Sequence, residues 1–364
     1  MSNKISKAQK EQSALKVQEG IEQPPVINSS AVALMKGRSK VDQPDSYYID
    51  GVLKGDRIIL AKAITLIESA LPKHREQAMR VLAGCIPHSG NSIRIGITGV
   101  PGAGKSTFIE AFGKHLTNLK HRVAILAIDP SSTRSKGSIL GDKTRMEELS
   151  TDPNAFIRPS PSGGSLGGVA RKTYETIILC EAAGYDVILV ETVGVGQSET
   201  AAHSMVDFFL LLMLAGAGDE LQGIKRGIIE MSDAIIINKA DGDNKTAAQR
   251  AQAQYKNALH LFPLPPSGWE PRTGLCSSIE KTGIDEVWKM IEEYLHDTRK
   301  NGYFSNNRQR QEIARFRKTI EDILINNFFE NQDIKQKIAT MEKAIGEKTI
   351  SAYSAAEELF KNQS

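Results

Sequence analysis

Cysteine is scarce in this chain of 364 residues: Cys85, Cys180 and Cys276 are the only three, and they stand far apart. A sparse, odd count excludes a disulfide framework and fits a reducing compartment. CxCC, CxxC and His-rich tracts are missing. The seven histidines (His74, His88, His115, His121, His203, His260 and His296) are dispersed. No apolar run reaches bilayer length. The longest, VDFFLLLMLAGAG from Val206, is interrupted by Asp207, so no membrane partner is expected. The opening residues, MSNKISKAQKEQSALKVQEG, lack the apolar centre of a secretory signal. They contain Glu11 and Glu19 but no arginine, which speaks against a mitochondrial transit peptide. The expected location is the cytoplasm. Net charge is +3 at pH 7 with no basic run interleaved with aromatics, so nucleic acid is not an expected partner.

With 40% apolar and 24% charged residues, the chain can bury one large core and carry helical extensions. Residues 1–45 are polar and contain QPP and DQPDS, which reads as a disordered or loosely attached arm. Residues 46–91 repeat apolar positions at spacings of three and four, and this predicts two amphipathic helices broken near Pro72. From Ile93 the pattern changes. IRIGITG, RVAILAID, DVILVETV, VDFFLLLMLA and DAIIINKAD are short apolar runs separated by helical patterns. Buried parallel strands read this way, so residues 92–300 are expected to form a doubly wound α/β domain with a mostly parallel sheet. Residues 301–364 turn helical and charged, as two or three amphipathic helices.

One stretch carries a specific chemistry. Gly99-Val100-Pro101-Gly102-Ala103-Gly104-Lys105-Ser106 fits GxxxxGK(S/T), followed by Thr107, and lies between an apolar strand and a helix opening at about Lys105. This is the context of a phosphate-binding loop. Glycines let backbone N–H groups approach a β-phosphate, Lys105 reaches β- and γ-oxygens, and the Ser106 hydroxyl suits Mg²⁺. The base is read from Asn238-Lys239-Ala240-Asp241, an NKxD sequence at the end of an apolar strand. A carboxylate at Asp241 can accept from guanine N1–H and its 2-amino group. Adenine would leave it unpaired, at a cost of about 1–3 kcal/mol. Alone, NKxD can equally be a strand-to-helix turn. Downstream of a phosphate loop it points to GTP and GDP. Ser277 and Ser278, in GLCSSIEKTG, sit where a loop would cap the base.

Two further strands end in acids, Asp129 in AILAIDPSS and Glu191 in VILVETVGVGQSE. Gly194 follows Glu191 as ExxG. Its N–H would face a γ-phosphate, and Glu191 would stand by the metal and orient or deprotonate the attacking water. In SILGDKTRM, Asp142 could complete the Mg²⁺ shell and Arg145 could neutralise developing charge. Asp129 can equally cap a turn, and Asp142 a helix.

Taken together, GITGVPGAGKST, AIDPSSTRSKGSILGDKTRM, IRPSPSGGSLGGVARKT, DVILVETVGVGQSE, LAGAGDELQGIKRGIIEMSD and NKAD resemble the MeaB/ArgK-type GTPases, from about Tyr47 to about Tyr294 and more loosely beyond. The resemblance implies a slow, Mg²⁺-dependent GTPase that chaperones an adenosylcobalamin-dependent acyl-CoA mutase, methylmalonyl-CoA mutase above all. Such a protein gates the loading and repair of the mutase cofactor. The family pattern is a homodimer with an N-terminal helical region, a central GTPase domain and a C-terminal dimerisation arm. Carried over by motif, Lys105 and Ser106 serve phosphate and metal, Asp129 and Asp142 lie at the metal, and Glu191 is the base. Asp219 and Lys225, in GAGDELQGIKRG, fall in a loop that responds to the client; on its own chemistry the segment can equally be a plain connection. Lys136 and Gly164 depart from the usual family residues and leave the client's identity open. A metal-delivering GTPase and a small-molecule kinase are the alternatives. The first would need the missing thiol or histidine tract, the second an acceptor-binding motif.

Overall fold

The computed structural model describes residues 43–69, 71–128, 146–159, 166–192, 198–216 and 226–361, with the side chain of residue 166 left aside. Three helices open the unit that runs from Asp45 to Ser364: α1 (Asp45–Leu53), α2 (Arg57–Glu68) and α3 (Pro72–Cys85). The sequence reading of two helices here is corrected. Gly55 takes a left-handed φ of 71°, and the Asp56 side chain accepts from the N–H groups of Ile58 and Ile59. That turn and N-cap break the first helical pattern before Pro72 opens the third helix at its first position.

Seven strands follow: β1 (Ile93–Gly99), β2 (Val123–Ile128), β3 (Ala155–Arg158), β4 (Val187–Thr192), β5 (Phe208–Leu214), β6 (Ala234–Asn238) and β7 (Arg272–Leu275). They form one sheet in the order β3-β2-β4-β1-β5-β6-β7, and every pairing is parallel. Between and after them lie α4 (Lys105–Asn118), α5 (Glu147–Thr151), α6 (Leu166–Ala182), α7 (Ser198–His203), α8 (Arg226–Met231), α9 (Lys245–Leu259), α10 (Ile284–Lys300), α11 (Tyr303–Glu330), α12 (Gln332–Gly346) and α13 (Ala352–Lys361). The doubly wound α/β fold expected from the alternating runs is thus observed. The short edge strand β3 was not anticipated. Four residues, AFIR, are too few to show a period.

Strand alternation divides the core in two. Ile95 and Ile97 of β1, Leu189 of β4 and Leu210 and Leu212 of β5 face α4, α9 and α10. Ile188 and Val190 of β4, Leu126 of β2 and Phe209 of β5 face α2, α6 and α7. The opening helices are fixed to this second face by polar contacts. Arg158 of β3 pairs with Glu68, and Lys172 Nζ donates to the Glu68 carbonyl at 2.6 Å. Because all strands run one way, every carboxyl end opens on the same edge. The chain winds from β1 toward β3 in one direction and through β5 to β7 in the other, so the crevice for a ligand lies at the end of β1.

Candidate nucleotide site

Strand β1 ends at Gly99, where a side chain has no room: a Cβ there would lie 2.3 Å from the Leu212 carbonyl oxygen. The chain then turns, with the Ala103 N–H donating to the Val100 carbonyl at 3.1 Å. Gly104 caps α4 in the left-handed region at φ 82°, a conformation that disfavours any L side chain. No side chain caps this helix, so its first N–H groups and dipole face the loop, as an anion site requires. Gly102 and Thr107 are exposed at the loop and first turn, and Ala103 is buried beneath them.

The Lys105 ammonium folds back on the loop, donating to the Gly99 carbonyl at 2.9 Å. Burial pulls its pKa below the ordinary lysine value, and the carboxylates of Glu191 and Glu199 oppose that shift. An incoming phosphate would add to the opposition. Ser106 Oγ donates to Glu191 Oε1 at 3.3 Å. Strand pairing sets this contact: Glu191 is the β4 register partner of Ile97 on β1 and of Ala127 on β2. A hydroxyl and a carboxylate in this position are hard oxygen donors suited to Mg²⁺, which keeps waters and takes phosphate oxygens besides. Among the described residues there is no cluster of three or more His, Cys, Asp or Glu that could hold a metal. Asp129, Asp142, Arg145, Gly194, Asp219 and Lys225 lie outside the described residues.

On the far side, β6 delivers Asn238, which is 1% exposed and bonded to protein at both ends. Its Nδ2 donates to the Ala103 carbonyl at 2.8 Å. Its Oδ1 accepts from Ser278 Oγ at 2.8 Å, Ser278 N at 3.2 Å and Cys276 Sγ at 3.3 Å. Asn238 therefore ties the phosphate loop to the loop after β7. The next residue, Lys239, is exposed and takes a left-handed φ of 57°. Asp241 receives a hydrogen bond from Ser277 Oγ, which itself accepts from Glu280 N at 3.1 Å. A backbone bridge between Ser277 and Thr282 closes that loop. Asn238, Ser277 and Ser278 thus position the loops, and one carboxylate oxygen of Asp241 accepts from a serine.

Sequence reasoning passed over two carboxylates. Glu199 sits 1% exposed in the first turn of α7, close enough to Lys105 to affect its charge. It belongs to the quoted GQSE stretch, where an acid before a helical turn was the available signal. Glu110, one turn further along α4, accepts from Glu148 N at 2.7 Å and Leu149 N at 3.3 Å. It caps α5 from a distant segment, so no local pattern marks it.

A phosphate loop at the end of β1, an acid at the end of β4 and NKxD at the end of β6, on a parallel sheet of this order, define a P-loop GTPase fold. Comparison with known proteins narrows this. Residues 60–333 match the family described as methylmalonyl Co-A mutase-associated GTPase MeaB, and the chain belongs to that family. A probable GTPase of Mycobacterium tuberculosis is 52% identical over 273 residues, 74% of this chain and 81% of that one. GTPase ArgK of Escherichia coli is 49% identical over 269 residues, with the same two coverages. The methylmalonic aciduria type A homolog, mitochondrial, of Mus musculus is 52% identical over 271 residues, 72% of this chain and 65% of that one. Among solved structures, one titled LAO/AO transport system kinase superposes with a TM-score of 0.69 at 38% identity, covering 92% of this chain and 98% of its own.

Proposed function

We propose that this GTPase hydrolyses GTP in a Mg²⁺-dependent reaction and serves as a chaperone of an adenosylcobalamin-dependent acyl-CoA mutase, gating its cofactor loading and repair. The observation that carries the chemistry is the placement of Glu191 beside Ser106 at the mouth of the phosphate loop. In this reading Lys105 and the N–H groups of Gly102, Gly104 and Thr107 hold the β- and γ-phosphates, with Ala103 fixing the turn through its bond to Val100 and Gly99 as the hinge of the loop. Glu191 orients the attacking water and takes its proton as the bond from the γ-phosphorus to the bridging oxygen breaks. Mg²⁺, held by Ser106 and Glu191 with Asp129 and Asp142, would neutralise charge on the phosphates. Arg145 and Gly194 would complete the γ-phosphate contacts. Asp241 selects guanine, Lys239 lays its stem along the base, and Asn238, Ser277 and Ser278 hold the loops that frame it. Asp219 and Lys225 belong to the segment that answers the client.

The mutase as client is supported by the family's own description. We also propose that residues 301–364 form a homodimer arm and that the protein works in the cytoplasm. Support for the arm comes from α11, where Ile313, Phe316, Ile320 and Leu324 are exposed large apolar side chains at spacings of three and four. None of the described helices is long and apolar enough to cross a membrane. The test is GTP turnover by the purified protein, alone and with an adenosylcobalamin-dependent acyl-CoA mutase. Nucleotide-dependent co-elution with stimulated turnover is the expected result. Intrinsic turnover without stimulation by any such mutase would refute the client, and absence of turnover altogether would refute the assigned site.

A further inference from the structure

Helix α11 meets the sheet at its amino edge, opposite the phosphate loop, chiefly through one arginine. Arg308 Nε and Nη2 donate to the two carboxylate oxygens of Asp207 at 2.7 and 2.6 Å. Nη1 donates to the Gly90 carbonyl at 2.5 Å, and Nη2 also to the Ser92 carbonyl at 2.6 Å. Gly90 and Ser92 lead into β1, and Asp207 leads into β5. Asp207 is 2% exposed at its side chain. It also accepts from Arg94 N at 2.8 Å, and its own N–H donates to the Arg94 carbonyl at 2.8 Å. One turn on, Gln311 Nε2 donates to the Val206 carbonyl at 2.8 Å. Tyr294 of α10 donates to the Asp207 carbonyl at 2.9 Å. A single guanidinium therefore staples the starts of β1 and β5 to the arm.

These two strands are the ones whose other ends build the cradle. They run in register from Ile95 opposite Phe208 to Gly99 opposite Leu212. From Arg94 to Gly99 is about 17 Å of strand. At the far end, Gly99 packs so closely on Leu212 that no Cβ fits. A planar fork held by four acceptors cannot swivel to absorb a rotation of its helix. Moving α11 must shift the two strand starts or pull Arg308 from a buried carboxylate.

We infer that the Arg308–Asp207 pair is a positioning joint that couples the C-terminal arm to the nucleotide cradle, so that the seating of a second copy on α11 tightens guanine nucleotide binding. This rests on reading the arm as a dimer surface and the cradle as a guanine nucleotide site. Arg308 touches no nucleotide; its action runs through β1 and β5.

Two lesions in the full chain test the coupling. Phe316→Asp with Leu324→Asp places charge on the exposed face of α11, and Arg308→Lys keeps charge at the joint but loses the fork. Sedimentation gives the oligomeric state, and a fluorescent GDP analogue gives Kd. The arm variant should be monomeric and bind GDP at least about fivefold more weakly. Arg308→Lys should remain dimeric with a similar loss, and the combined variant should be no worse than either lesion, because both break one pathway. Asp207→Asn, which keeps an acceptor for Arg94 N, should repeat the Arg308→Lys result. Unchanged GDP affinity in a monomeric arm variant, or losses that simply multiply, would overturn the coupling. A wild-type monomer would overturn the arm reading and the coupling with it. Wild-type protein that binds no GDP would overturn the cradle reading instead.

Discussion

Asn238 is the most demanding test of the site's construction. Replacing it with alanine removes the link between the phosphate loop and the loop after β7. The Ala103 carbonyl loses its Nδ2 donor, and the Ser278 N–H loses its acceptor. Both residues are buried, with Ala103 0% and Ser278 6% exposed. The Ser278 hydroxyl and the Cys276 thiol can rotate to other partners, so they weigh little. Two orphaned backbone groups at about 1–3 kcal/mol each give a loss of about 2–6 kcal/mol. Urea unfolding of the nucleotide-free protein should show that loss. GDP affinity should fall at least about tenfold, since about 1.4 kcal/mol of the disorder must be reversed on binding. Asn238→Asp is the informative control. It keeps an acceptor for Ser278 but turns a carboxylate oxygen toward the Ala103 carbonyl, so it should be no better than alanine. If both variants unfold within about 0.5 kcal/mol of wild type and bind GDP normally, Asn238 does not hold these loops together.

Four other outcomes follow from the same geometry. Glu191→Gln should bind GTP but turn it over at least about tenfold more slowly in a phosphate-release assay, and near-normal turnover would remove Glu191 from the role of base. Asp241→Asn should lose a charge-assisted contact to guanine worth about 1.5–3 kcal/mol and gain xanthine nucleotides; normal GTP binding with continued rejection of xanthosine nucleotides would refute the base assignment. Glu181→Gln should cost about 3–5 kcal/mol in urea unfolding, because Arg94, at 4% exposure, would lose a carboxylate bonded to its Nε and Nη2; a smaller loss than about 1 kcal/mol would mean that water reaches the pair. Asp233 is raised by burial to about 7 from 3.8, partly opposed by the Phe209 N–H, so the native state keeps a proton that the unfolded chain releases as pH climbs from about 4. Stability should therefore fall as pH rises through that window. Asp233→Asn should lack this slope, so the gap between the two proteins opens toward pH 7, and parallel stability curves would contradict it.

The sequence by itself determined five of the seven strands and the places of the phosphate loop and NKxD at their ends. Five strands read as apolar runs because parallel strands are buried on both faces. The phosphate loop and NKxD are contiguous, so their residue types and spacing are visible in one dimension. Even the helix opening at Lys105 follows from the glycines before it. Tertiary structure alone decided how these pieces meet. Strand order puts Glu191 beside Ser106, 85 residues away in the chain. Asn238 turns inward and donates to the Ala103 carbonyl of the phosphate loop, 135 residues upstream. Arg308 fastens the C-terminal helix to carbonyls at Gly90 and Ser92, more than 200 residues distant. Local propensity and periodicity report what a segment needs to bury. They carry no information on which distant carbonyl a buried amide or guanidinium will find, because that partner exists only once the sheet has closed around it.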